Sequence, residues 1–215
     1  LALRNQCNVI CEKPLVLIYE HLEALKSIEK ETGKVINTIL QLRYHPTIKA
    51  LKEKYLNTNK FHKISIDYIT PRGLWYDYSW KGDLEKSGGV ASNIGVHFFD
   101  MLSLIFGRVI DNKVFLKNKR TNSGILTLKN ANIKWFLSID KSHLPNSSIL
   151  NNLTTHRSIK VEGKEIEFSS GFVDLHTESY LNIHNGNGFG IEEALASIEI
   201  VSAIRNMDVS EITSD

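Results

Sequence analysis

Within "SGGVASNIGVHFFDMLSLIFG", residues 87–107, three residues able to do chemistry, Asn93, His97 and Asp100, interrupt an otherwise apolar run that opens on two glycines. In a helix, Asn93 and His97 stand at i and i+4, so both side chains leave one face about a turn apart and can meet one substrate. An imidazole titrates near neutrality, which suits His97 to taking a hydroxyl proton. Gly88-Gly89 lets the backbone turn tightly and approach a ligand with no Cβ in the way. A histidine on an apolar helix is more often a satisfied core residue than a base. A second cluster, Glu12-Lys13-Pro14, weighs against that reading here, because it ends an apolar segment with the pattern of a parallel strand. Ligands of open α/β sheets bind at such strand ends, and the proline biases Lys13 toward extended geometry. His97 and Asp100, at i and i+3, have the spacing of a metal pair, but no further ligand set accompanies them and no metal is expected.

The elements that must position these residues follow from periodicity. "CNVICEKP" reads as a short strand, "YEHLEALKSIEKETG" as an amphipathic helix with Leu22, Leu25 and Ile28 on one side and Gly33 as its C-cap, and "KVINTILQLRYHP" as a second strand. That is a βαβ crossover. No strand-glycine-helix turn precedes it, so the N-terminal part of a larger protein is expected to be absent. "HPTIKALKEKYL" reads as a short helix, "FHKISIDYIT" as a strand and "PRGLWYDYSWKGDLEKSGG" as a long aromatic loop. "NKVFLKN", "SGILTLKN", "ANIKWFLSID", "RSIKVEG" and "KEIEFSS" read as an antiparallel meander. "EEALASIEIVSAIRN" closes the chain as a helix with Ala194, Ile198, Val201 and Ile204 on one face. "NGNGFG", residues 185–190, follows a helical pattern and so reads as a helix-to-helix linker rather than a dinucleotide loop.

Composition narrows the function classes. The chain of 215 residues carries 26 basic and 24 acidic residues, a formal charge of +2, which gives no electrostatic case for nucleic acid. Cys7 and Cys11 lie four apart in an extended segment, too far for a disulfide, and imply a reduced, cytoplasmic setting. No apolar run approaches the roughly 20 residues that span a bilayer, and the start lacks a signal-peptide pattern, so no membrane association is expected.

"CEKP" together with "GGVASNIGVHFFD" resembles the Gfo/Idh/MocA family of NAD(P)-dependent sugar and inositol oxidoreductases, matching its glycine, histidine and aspartate positions at Gly88, Gly89, Gly95, His97 and Asp100. It departs at Asn93, where most members have Asp, which puts an Asp-His dyad in doubt. With "LQLRYHP", "RGLWYDYSWKG" and "FVDLHTESYLNIHNGNGFGIEEALASIEIV", the chain is similar to the branch acting on UDP-N-acetylglucosaminuronate, the 3-dehydrogenases of bacterial surface polysaccharide and lipopolysaccharide synthesis. The resemblance implies an α+β chain: residues 1–44 the end of a Rossmann cofactor domain, residues 45–215 an α/β substrate-binding and oligomerisation domain with a mostly antiparallel open sheet. It implies NAD as cofactor, NADP being compatible with the same motifs, a UDP-sugar uronate as substrate, and a homo-oligomer formed through the sheet. His97 would be the base, Lys13 would steady the alkoxide and Asn93 would orient the sugar. Arg72 would take the uronate carboxylate, with Trp75, Tyr76, His176 and Tyr180 near the substrate. Glu12, Lys13, Pro14, Arg43 and His45 would line the cofactor. Without the glycine loop, this chain alone is expected to be inactive. The alternatives are an inositol or simple-sugar dehydrogenase of the same family, disfavoured by Asn93 and Arg72, and a non-catalytic substrate-binding or assembly module.

Overall fold

The computed structural model describes all residues except 56, 57, 59, 169, 170 and 211–215. The end of the "HPTIKALKEKYL" helix and of the "KEIEFSS" segment therefore lie outside the described residues. The chain starts as the βαβ unit that its pattern predicts. Strand β1 (Val9–Cys11) pairs in parallel with β2 (Ile36–Thr38), and α1 (Glu20–Thr32) crosses between them. Glu20 and Glu23 in the first turn of α1 and Lys30 in the last complement its dipole. Gly33, at φ +67°, ends the helix by donating its N–H to the Glu29 carbonyl at 2.8 Å.

The second strand is shorter than its Val/Ile pattern implies. After Thr38 the chain coils into a 3-10 turn, Gln41–Tyr44, because Leu42 and Tyr44 turn into the core while Arg43 is drawn to Asp100. Helix α2 (Pro46–Tyr55) follows, then β3 (His62–Ile69). The aromatic segment expected to be a loop holds two short helices, α3 (Trp75–Tyr78) and α4 (Leu84–Ser87), the latter N-capped by Asp83, which accepts from the N–H groups of Glu85 and Lys86. A single π-helical turn, Ala91–Gly95, then leads into α5 (Val96–Phe106).

Strands β4 (Val109–Lys117), β5 (Thr121–Leu128) and β6 (Ala131–Ser138) form an antiparallel meander. Beyond α6 (Asn146–Leu150), the chain returns as β7 (His156–Val161) and β8 (Lys164–Glu165). Among the described residues, the sheet order is β4-β5-β6-β3-β7-β8, with β3 parallel to β6 and antiparallel to β7. The continuous meander is thus corrected: β3, whose Ile64 and Ile66 are buried, takes a central place between β6 and β7. Helix α5 packs on one face of this sheet, with Phe99 edge-on to Trp135 at 5.6 Å between ring centroids.

Helices α7 (Leu175–His184) and α8 (Ile191–Asn206) close the chain, joined by the "NGNGFG" linker. Two apolar cores result. The smaller gathers Leu3, Leu22 and Ile36 with Ile191, Ala194 and Ile198 of α8. The larger lies between the sheet and α5, and takes Ile200, Val201 and Ile204 from the same helix. The helical stretch Leu84–Phe106 is long and apolar enough to cross a bilayer, contrary to the reading of apolar runs, but 72% of its apolar window is buried inside the fold as core.

Candidate active site

Lys13 follows the end of β1, and its Nζ donates to the Asn93 carbonyl at 2.8 Å. This bond joins the first unit to the π turn. Around it lies a cavity of about 210 Å³, lined among others by Lys13, Arg72, Asn93, His97 and Arg157 and walled by Phe168. The glycines make the approach possible. Gly88 and Gly89 adopt φ of +72° and +76°, and a Cβ on Gly88 would stand 2.4 Å from the Ser92 hydroxyl.

Electrostatics set the state of the two reactive groups. Burial pushes the Lys13 amine down to about 8, Lys81 and Arg72 pushing the same way while Glu12 opposes them. Burial, with the Lys13 and His176 charges, pushes His97 well below the usual imidazole range, so it is neutral at pH 7. Its ring keeps access to the cavity, and no described residue hydrogen-bonds it. A neutral imidazole beside an ammonium is an arrangement for receiving a proton from a hydroxyl held against both.

Asn93 answers the departure from aspartate. Its Nδ2 donates to the Tyr76 hydroxyl at 2.9 Å and to the Lys81 carbonyl at 3.2 Å. A carbonyl only accepts, so the amide nitrogen must face it and Oδ1 is turned away. A carboxylate would set oxygen against oxygen. The two side chains share the cavity, but through a π turn rather than the regular α turn that their spacing suggests.

Other candidate residues fall in different places. Arg72 lines the cavity with no carboxylate partner among the described residues. Tyr76 is buried, its hydroxyl accepting from Asn93 Nδ2. Trp75 stands exposed, edge-on to Tyr76, outside the cavity lining. His176 Nε2 lies 3.5 Å from Glu12 Oε1 on the surface and reaches His97 only through its charge. Tyr180 lines a separate cavity of about 830 Å³ with Val9 and Asn37. The Arg43 fork grips Asp100, Nη2 to Oδ1 at 2.7 Å, and donates to the Glu193 carbonyl at 2.6 Å. This explains why the apolar helix keeps Asp100, which anchors α5 to the turn after β2. His45 is buried against Phe168 and Phe172, behind the cavity wall. Glu12, Lys13 and Pro14 line an adjoining cavity of about 510 Å³ with Trp80 and Lys81.

Sequence reasoning missed Gln41, Tyr68, Phe172 and Arg157, all on the cavity. Arg157 opens the segment "RSIKVEG", but only the pairing of β7 with β3, which sets Arg157 opposite Tyr68, brings it here. The Gln41 Oε1 is buried with no hydrogen-bond partner, an acceptor that an N–H or hydroxyl of a ligand would satisfy.

Comparison with known proteins gives the family. Residues 60–126 match the Gfo/Idh/MocA oxidoreductase family, C-terminal alpha/beta domain. The chain superposes on the WlbA (WbpB) dehydrogenase of Thermus thermophilus in complex with NAD and alpha-ketoglutarate with a TM-score of 0.95 and 44% identity, over 99% of this chain and 69% of that one. With the same enzyme in complex with NAD and UDP-GlcNAcA, the TM-score is 0.94 at 44% identity, over 99% and 68% of the two chains. The WlbA dehydrogenase of Bordetella pertussis shares the fold, with a TM-score of 0.74 at 16% identity over 94% and 69%. A lysine at the end of a parallel strand, a histidine on a glycine-led helix and this extent of identity have one explanation: the chain belongs to the Gfo/Idh/MocA family of oxidoreductases.

Proposed function

We propose that the chain is the substrate-binding part of an NAD-dependent dehydrogenase that oxidises the 3-hydroxyl of UDP-N-acetylglucosaminuronate to the 3-keto sugar. The convergence of Lys13 and His97 on one cavity carries this reading, because a non-catalytic binding module has no use for a depressed lysine beside a neutral histidine. The 44% identity to a dehydrogenase in complex with UDP-GlcNAcA supports the substrate. It also disfavours a simple-sugar or inositol dehydrogenase.

In this reading, His97 receives the proton of the 3-hydroxyl and Lys13 donates a hydrogen bond to the same oxygen, stabilising the alkoxide as it develops. Asn93, its amide fixed by Tyr76 and Lys81, offers Oδ1 to a donor on the sugar. Arg72 supplies positive charge for an anionic group. The residues at the ends of β1 and β2 fit the nicotinamide end of NAD: Lys13 and Pro14 edge the adjoining cavity, and the orphaned Gln41 Oε1 suits a carboxamide N–H. When bound, NAD supplies the hydride acceptor for the sugar carbon. Residues 1–44 belong in this proposal to the cofactor domain and residues 45–215 to the substrate domain, in a cytoplasmic homo-oligomer joined through the six-stranded sheet. Calorimetric titration with UDP-GlcNAcA, UDP-GlcNAc and myo-inositol tests the substrate: the uronate is expected to bind best, and binding of inositol alone overturns the assignment.

A further inference from the structure

We infer that Arg157 is the residue that selects the carboxylate of the sugar, an inference that rests on the uronate reading above and names the side chain that enforces it. Arg157, the second residue of β7, is paired in register with Tyr68 of β3 and lines the same cavity as Lys13, Asn93 and His97. Its guanidinium carbon stands 5.3 Å from the Tyr68 ring centroid and 4.7 Å from that of Phe172. Contact with two aromatic rings restrains the guanidinium, whose N–H edge suits an acceptor lying in its plane. A carboxylate is such an acceptor, planar and able to take two parallel bonds.

Charge accounting points the same way. Arg4, Arg43, Arg120 and Arg205 each hold a carboxylate of the protein. Arg72, Arg108 and Arg157 hold none among the described residues; Arg108 lies away from this cavity, and no Asp or Glu lines the space that Arg72 and Arg157 share. Two guanidinium groups and Lys13 therefore face a space whose negative charge must come from a ligand. A cavity of about 210 Å³ has room for a sugar ring with its substituents. The anionic group that enters with the ring is the carboxylate.

The test is calorimetric titration of the chain and of Arg157→Gln and Arg157→Lys with UDP-GlcNAcA and with UDP-GlcNAc, which has a neutral hydroxymethyl in place of the carboxylate. Melting temperatures check that the variants fold. Arg157→Gln is expected to weaken the uronate about 10- to 100-fold while leaving UDP-GlcNAc unchanged, and Arg157→Lys to restore part of the loss. An equal loss for both ligands would place Arg157 on the diphosphate and overturn the inference, as would an unchanged preference in Arg157→Gln. If the unaltered chain shows no preference for the uronate, the uronate reading itself fails and the inference with it, an outcome seen before any variant is compared.

Discussion

Lys13 and Asn93 define the site through one hydrogen bond, and each makes a different demand on its neighbours. The Lys13 amine, brought to about 8 chiefly by burial, responds to two charges of opposite effect. A side-chain NMR titration of Lys13 is expected to show its pKa near 8. Arg72→Ala should raise that value and Glu12→Gln should lower it; a value unmoved by either change would mean that the charges do not act through the cavity. Asn93→Asp replaces the donor to the Lys81 carbonyl with an acceptor, leaving that pair unsatisfied at a cost of about 1–3 kcal/mol at pH 7. Urea unfolding of the variant beside the unaltered chain reads that cost. The meeting of Lys13, Asn93 and His97 on one cavity was legible because two motifs, one at a strand end and one on a helix, pointed to a shared ligand. That Tyr76 bonds Asn93, that Arg43 grips Asp100 and that His45 packs on Phe168 was not legible, because a buried support and a contact residue look alike in sequence.

The π turn Ala91–Gly95 is the element on which the site depends, since it sets how Asn93 and His97 are aimed from a helix otherwise committed to the core. Apolar periodicity identified the helix but not the widened turn, because one extra residue in a helix leaves no mark in the pattern. The same limit explains β2, where a run rich in Val and Ile predicted a longer strand, and tertiary demands on Leu42, Tyr44 and Arg43 turned the chain instead. Strand β3 was recognised, yet its neighbours were not, because alternation reports which face is buried and says nothing of strand order. Within the π turn, Gly95 is held for space: a Cβ would lie 2.6 Å from Leu137 and 2.9 Å from Phe99, both buried in the core. Gly95→Ala is expected to cost about 1–3 kcal/mol by overpacking and, in the same variant, to shift the NMR signals of His97. A variant of unchanged stability and spectrum would show that the turn has slack.

At the scale of the whole molecule, α8 makes one cooperative body of two cores. Its first half buries Ile191, Ala194 and Ile198 against α1 and β2, and its second half buries Ile200, Val201 and Ile204 against α5 and the sheet. Polar contacts tie α8 to both bodies. The Tyr19 N–H donates to the Ser202 hydroxyl at 3.2 Å, Arg43 to the Glu193 carbonyl at 2.6 Å, and Arg205 pairs with Glu85 at 2.7 Å. The cavity sits where the two bodies meet, since Lys13 comes from one and His97 from the other, so its geometry lasts only as long as α8 holds both. Ile198, 1% exposed in the smaller core, tests this. Ile198→Ala should cost about 2–5 kcal/mol through the lost methyl groups and the cavity they leave. If α8 couples the cores, scanning calorimetry will show one transition moved to lower temperature, with calorimetric and van't Hoff enthalpies still equal. Ile204→Ala in the larger core should lower that same transition. A separate early transition in Ile198→Ala, with the main melt unmoved, would mean that the βαβ unit unfolds alone and that Lys13 can leave the site while the sheet stays intact.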